Sequence, residues 1–174
     1  TRHPCTIITK NALVERDLDL LTELAKQNLV HAFVSVTSLD NKLSSKLEPR
    51  ASAPHRRIAA IAALNAAGVP CGVMVAPIIP ALTDLHMENI LEQAAAAGAP
   101  LAGYTVVRLP YELKDLFADW LATHVPERAE HVMSLIRQMR NGQDNDPRFG
   151  SRMKGEGIFA DLIRTRFRAA PKRH

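Results

Sequence analysis

The sequence predicts an α/β fold in which parallel strands are joined by helical crossovers and followed by C-terminal helices. Three observations carry this. Strand-like and helix-like segments alternate four times in succession, the pattern of parallel strands with right-handed crossovers. The strand-like segments are apolar, β-branched runs closed by Gly or Pro. The first of them, at residues 5–10, starts almost at once and is apolar, so it reads as a bare sheet edge. Four parallel strands do not close a barrel. The chain therefore reads as the back part of a larger α/β protein, with an open flavodoxin-like sheet as the alternative.

The elements follow in order. Cys5-Thr6-Ile7-Ile8-Thr9-Lys10 has the character of a buried strand. Leu18, Leu21, Leu24 and Ala25 form an apolar stripe on a helix that Asn28 ends. Residues 30–37 make a second strand. Asp40 caps a short helix through Leu47, and Pro49 breaks it. Ser52 is the expected cap of the next helix, with Pro54 in its first turn and Gly68 just past its end. A third strand spans 69–76 and stops at Pro77. Thr83 caps a helix through Ala97, and Gly98 closes it. Residues 101–109 form a fourth strand, ended by Pro110. Helices are expected at 112–124, 127–140 and 158–168, with a Gly-rich polar loop at 141–157 and a frayed tail at Pro171-Lys172-Arg173-His174. This divides the chain into four βα units at 1–110 and a helical extension with a basic loop at 111–174.

Composition bounds the function. The 174 residues are 47% hydrophobic and 23% charged, an ordinary globular balance that excludes a disordered chain. No apolar run reaches the length of about 20 residues that spans a bilayer, and no basic-plus-apolar leader opens the chain, so the expectation is a cytoplasmic protein without a membrane partner. Two cysteines, Cys5 and Cys71, are too few for a disulfide scaffold or a four-cysteine metal site, and each reads as a small core residue. None of the seven histidines forms a metal-ligand pair at close spacing. Charge is uneven: from Arg128 onward there are 11 Lys/Arg against 5 Asp/Glu, within an overall net charge of +4. Such a region is either a solvated basic tail or a surface that meets an anion: a phosphate backbone, an acidic partner, or acids of the neighbouring fold such as Glu112 and Asp115.

Ligands of parallel α/β proteins bind at the C-terminal ends of strands, which points to four tips. Lys10 ends the first, where an amine pairs with a carboxylate or forms a Schiff base. Ser35 and Thr37 share one face near the end of the second, as a hydroxyl-bearing ligand needs. Arg50 follows in a Pro-constrained loop and can grip a carboxylate or pair with Glu48. Pro77 and Pro80 bracket Ile78 and Ile79 at the third tip, a rigid apolar wall for a flat ring. Arg108 lies at the fourth tip. The segment from Gly150 through Lys154 to Gly157 is glycine-rich, basic and placed before a helix, and can cradle an anion.

Several segments, in order and over nearly the whole chain, resemble a known family. They are Thr9-Lys10-Asn11 with Arg16-Asp17-Leu18-Asp19-Leu20-Leu21, Leu47-Glu48-Pro49-Arg50-Ala51 with Pro54, and Val73-Met74-Val75-Ala76-Pro77-Ile78-Ile79-Pro80 with Leu82-Thr83-Asp84. Leu109-Pro110 and Arg148-Phe149-Gly150 through Gly155-Glu156-Gly157 complete the set. Together they are similar to radical S-adenosylmethionine proteins of the spore photoproduct lyase-like subfamily, related to DNA repair photolyases. The resemblance implies a partial (β/α)6 barrel, of which this chain supplies strands three to six and a missing N-terminal barrel half supplies the rest. It implies a 4Fe–4S cluster that cleaves S-adenosylmethionine to a 5′-deoxyadenosyl radical, with nucleic acid as a possible substrate. Carried over by position, Lys10, Ser35 and Arg50 contact the methionine carboxylate or ribose of the cofactor, and Pro77 and Ile79 lie near its adenine. The sequence departs from the family where the chemistry is set: it has no Cys-x-x-x-Cys-x-x-Cys loop, so the chain by itself is not expected to bind the cluster. Ala81 stands where the family has Gly, and Ser52-Ala53 replaces Pro-Ser. The competing readings are a non-catalytic α/β binding module with a basic C-terminal region, and a Lys10 Schiff-base lyase.

Overall fold

The computed structural model describes residues 2–170; the expected frayed tail from Pro171 lies outside them. The chain forms a four-stranded sheet in the order β1-β2-β3-β4, with β1 at Cys5–Thr9, β2 at Val30–Ser35, β3 at Cys71–Ile78 and β4 at Ala102–Val106. β1 pairs β2 and β2 pairs β3 in parallel. The order is sequential. It lacks the reversal of strand order that defines a doubly wound, flavodoxin-like sheet, so that alternative falls. Helices α1 (Leu18–Ala25), α2 (Asn41–Leu47), α3 (Pro54–Ala66) and α4 (Met87–Ala96) fill the crossovers, and α5 (Leu113–His124), α6 (Ala129–Gln138) and α7 (Gly157–Ala169) follow the sheet. The chain divides into two compact units, residues 2–75 with 89–103, and Ala76–Glu88 with Tyr104–Ala170.

In the first unit, alternation along the strands sorts the sheet into two unlike faces. Val30, Ala32, Val34, Cys71 and Val73 are buried, and α1 and α3 pack on β2. On the other face, Thr6 stands beside His31, Ile8 beside Phe33, and Phe33 beside Gly72. Here Ile8 is 64% exposed, and His31, Phe33 and Met74 are half-buried. Two glycines shape this face. A Cβ at Gly72 would come within 2.6 Å of both the Phe33 ring and the Leu101 carbonyl, and one at Gly103 within 2.6 Å of the Met74 sulfur. The large side chains thus lie over glycines of the neighbouring strands. β1 corrects the expectation of a buried strand: Cys5, Thr6 and Ile8 are exposed, and only Cys71 of the two cysteines is a core residue. The reason is that β1 has a partner on one side only, so its apolar residues lack a second neighbour.

Local chemistry follows the sequence in part. The Asp40 carboxylate accepts the N–H groups of Lys42 (2.7 Å) and Leu43 (3.2 Å), as an N-cap should. Gly68 adopts φ +81°, the left-handed turn that closes α3. Ser52 does not cap α3. Its hydroxyl accepts the Ala12 N–H (2.9 Å) and donates to Asn11 Oδ1 (3.0 Å), tying this loop to the end of β1. Nor does Thr83 cap its helix; its hydroxyl accepts the Ile79 N–H at 2.8 Å. β3 does not stop at Pro77 either: the strand runs through Pro77 to Ile78.

Candidate functional site

The ends of β1 and β2 meet at a carboxylate, Glu48. Pro49 forbids helical geometry at the residue before it, so α2 stops and Glu48 turns back with φ −137° and ψ 61°. Its side chain is 10% exposed. It is ion-paired with Lys10 from the end of β1, accepts the Thr37 hydroxyl at 2.8 Å, and is ion-paired with Arg57 of α3 at 2.7 Å. Burial alone would raise its pKa. The hydrogen bond and charge of Lys10, the Thr37 hydroxyl and the charge of Arg57 outweigh that and hold it below its ordinary value. Arg57 is wholly buried and spends its fork on backbone as well: Nε donates to the Ser52 carbonyl (2.6 Å), Nη1 to the Ser35 carbonyl (3.1 Å) and Nη2 to the Ser44 hydroxyl (3.3 Å). One guanidinium thus joins the end of β2, helix α2 and the loop between α2 and α3.

The sequence-selected residues fall as follows. Lys10 and Ser35 come together in this cluster, Lys10 through its side chain and Ser35 through its carbonyl. The Lys10 nitrogen is engaged by the Glu48 carboxylate. Arg50 is two residues beyond Glu48 in the same loop and is exposed; the acid it was expected to pair with is taken by Lys10 and Arg57. Thr37 is buried at 2% exposure. Pro77 and Ile79 lie in the second unit, where Ile79 is a core residue at 2% exposure. The sequence reading passes over Arg57, because an arginine in a helix is ordinarily a surface residue. Its place beside Ile61 and Leu64 at helical spacing is the signal that could have found it.

The iron–sulfur reading is overturned for this chain. Cubane clusters are held by cysteine thiolates. The chain has two cysteines, one exposed on β1 and one buried on β3, and burial pushes the Cys71 thiol up to about 11. Among the described residues no three His, Cys, Asp or Glu side chains gather as a metal site. The chain lacks the cluster cysteines, so neither a 4Fe–4S cluster nor the S-adenosylmethionine cleavage that depends on it finds its ligands here, and the activity implied by the resemblance is withdrawn for it. No helix of the described residues is long and apolar enough to cross a membrane.

The basic C-terminal region is largely paired within its own unit. Arg148 binds Asp146 (2.8 Å) and Glu156 (2.9 Å), and Arg137 binds Asp144 (2.7 Å). Arg164 pairs with Asp161, and Arg166 with Asp84 (3.0 Å) and Glu88 (2.7 Å). Lys154 donates to the Tyr104 carbonyl (2.7 Å) and sits 3.4 Å over its ring. Arg152 lies over the exposed Phe149 ring. The acids used are these, not the expected Glu112 and Asp115.

Among known proteins, no family model matches the chain, and no solved structure matches it. It is 40% identical over 139 residues to an uncharacterized protein of Mycobacterium tuberculosis, a match covering 78% of this chain and 40% of that protein. A Mycobacterium bovis protein matches to the same extent. An uncharacterized protein of Acidianus two-tailed virus is 40% identical over 74 residues, 42% of this chain and 24% of its own length. In its mycobacterial matches, this chain spans about two-fifths of the relatives' length.

Proposed function

We propose that this chain is a non-catalytic α/β binding module: the back part of a partial (β/α)6 barrel within a longer protein, binding along β1 a strand supplied by the missing N-terminal half. The observation that carries this is the apolar edge, with Ile8 64% exposed on a strand paired on one side only. A flat apolar edge is a template for a further strand unless it is blunted by charge, proline or a cover. Three further features support the reading. The strand order advances without reversal, as a curling barrel wall requires. One sheet face is only partly covered, with Ile8 exposed and His31, Phe33 and Met74 half-buried, although parallel sheets are normally covered on both. The mycobacterial relatives are more than twice as long as the matched region. The resemblance to radical S-adenosylmethionine proteins agrees with a barrel half, while the cluster chemistry has no part in the proposal.

In this module the Lys10–Glu48–Arg57 cluster fixes the rim of the strand ends, and Arg50 is the exposed cation left to meet an anionic ligand. Ile8→Lys tests the edge. In the chain alone, a charge at this exposed position changes stability by no more than about 0.5 kcal/mol. In the longer protein it buries a charge in a strand pairing and costs roughly 1–3 kcal/mol. Equal effects in both, measured by urea unfolding, refute the proposal.

A further inference from the structure

Among the described residues two arginines are buried almost completely, and their charges are met differently. Arg57, at 0% exposure, has Glu48 as its counterion. Arg140, at 1% exposure, has no carboxylate at ion-pair distance among the described residues. It follows α6, and its fork goes to backbone: Nη2 donates to the Val107 carbonyl at 2.8 Å and Nη1 to the Ser151 carbonyl at 3.2 Å. Its Nε–H is buried without an acceptor. Arg108, the residue after Val107, is half-buried, and its Nε–H is also buried without an acceptor. Its Nη1 reaches only the Met153 sulfur, at 3.9 Å. Burial is the largest influence on Arg140 and disfavours its charged form; the charge of Asp146 favours that form, and the charge of Arg108 opposes it more weakly. Asp146 is not within ion-pair distance of Arg140; its oxygens bond Arg148 and, at 2.8 Å, the Ser151 hydroxyl.

A buried guanidinium whose direct partners are carbonyls has its charge compensated only in part, by Asp146 beyond ion-pair distance, which is costly away from water. A second guanidinium beside it raises that cost. Both groups stand at the C-terminal end of β4, the end of the strands at which parallel α/β proteins take ligands. We propose that Arg108 and Arg140 form an oxyanion site that holds the phosphate group of a ligand. A phosphate monoester carries close to two negative charges and three terminal oxygens, which answers two cations, each with an N–H to spare. Arg108, half-buried beside Met153 at 40% exposure, is the more accessible of the two arginines. Arg140 is the deep anchor. The site lies within the second unit and is independent of the β1 edge.

The test is calorimetric titration of the full chain with inorganic phosphate, with acetate as a second arm at the same ionic strength. Saturable phosphate binding is expected, with acetate at least about tenfold weaker because it offers one charge and two oxygens. Arg108→Gln should weaken phosphate binding about tenfold or more. Arg152→Gln, between Ser151 and Met153 but with its guanidinium over the Phe149 ring, should leave it unchanged. Arg140→Lys keeps the charge and removes the fork, and should also weaken binding; if that variant does not fold, Arg108→Gln alone decides. No saturable binding at low ionic strength, wild-type affinity in Arg108→Gln, or acetate binding as tightly as phosphate would each overturn the proposal.

Discussion

Glu48 is the residue on which the rim of the sheet depends. Its carboxylate is held ionised by Lys10, Thr37 and Arg57 despite burial. A folded-state pKa below the ordinary value of 4.5 means that its contribution to stability is complete above that value. The contribution is lost as pH falls from about 5 through the lowered folded-state value. Glu48→Gln should therefore destabilise the chain at pH 7 by roughly 3 kcal/mol, since it leaves the buried Arg57 without its counterion. It should also flatten the acid limb of the stability profile. Urea unfolding at pH 7 and pH 4 checks both, and a variant as acid-sensitive as the wild type would contradict the assignment. At this scale the sequence was legible only where a residue acts on its near neighbours, as at Asp40 and Gly68. Ser52 and Thr83 looked like caps because their type and spacing fit; Ser52 instead bonds Ala12, remote in the chain, and Thr83 turns back to the Ile79 N–H instead of forward into its helix.

At the scale of elements, hydrophobic periodicity located the four strands and the helices because each carries its period over enough residues. The errors lie at the ends and at exposure. β1 has the composition of a buried strand and is an exposed one, because burial depends on which neighbours are present and composition does not encode them. The register of β2 against β3 has a sharper requirement. The Phe33 ring occupies the space above Gly72, and the Leu101 carbonyl closes the same space from the adjoining segment. Gly72→Ala would set a methyl group 2.6 Å from a backbone oxygen, a clash that no rotamer change relieves. The expected cost is roughly 1–3 kcal/mol, seen as a lower denaturation midpoint. An unperturbed midpoint would mean that β3 and the 101–103 segment are not held as described. The basic helix α7 illustrates the same limit on reading: its arginines share a sequence neighbourhood, yet Arg166 is committed to Asp84 and Glu88, far away in the chain.

For the whole molecule, strand–helix alternation gave the α/β class, and the apolar first strand gave the idea of an incomplete sheet. The chemistry was less legible. Motif resemblance pointed to a cluster enzyme, but motifs of a scaffold can persist in a segment that does not contain the reactive group, and here the thiolates are missing. Completion of the sheet along β1 is the central claim. The Cys5 N–H donates to the Leu29 carbonyl at 2.9 Å, so by alternation the N–H groups of Ile7 and Thr9 face β2, while those of Thr6 and Ile8 face the open edge. Amide hydrogen exchange at those two residues is the direct measurement. In the chain alone, Thr6 and Ile8 should exchange rapidly while Ile7 is protected. In the longer protein, the account predicts that Thr6 and Ile8 become protected to the level of Ile7; exchange there as fast as in the chain alone would contradict it.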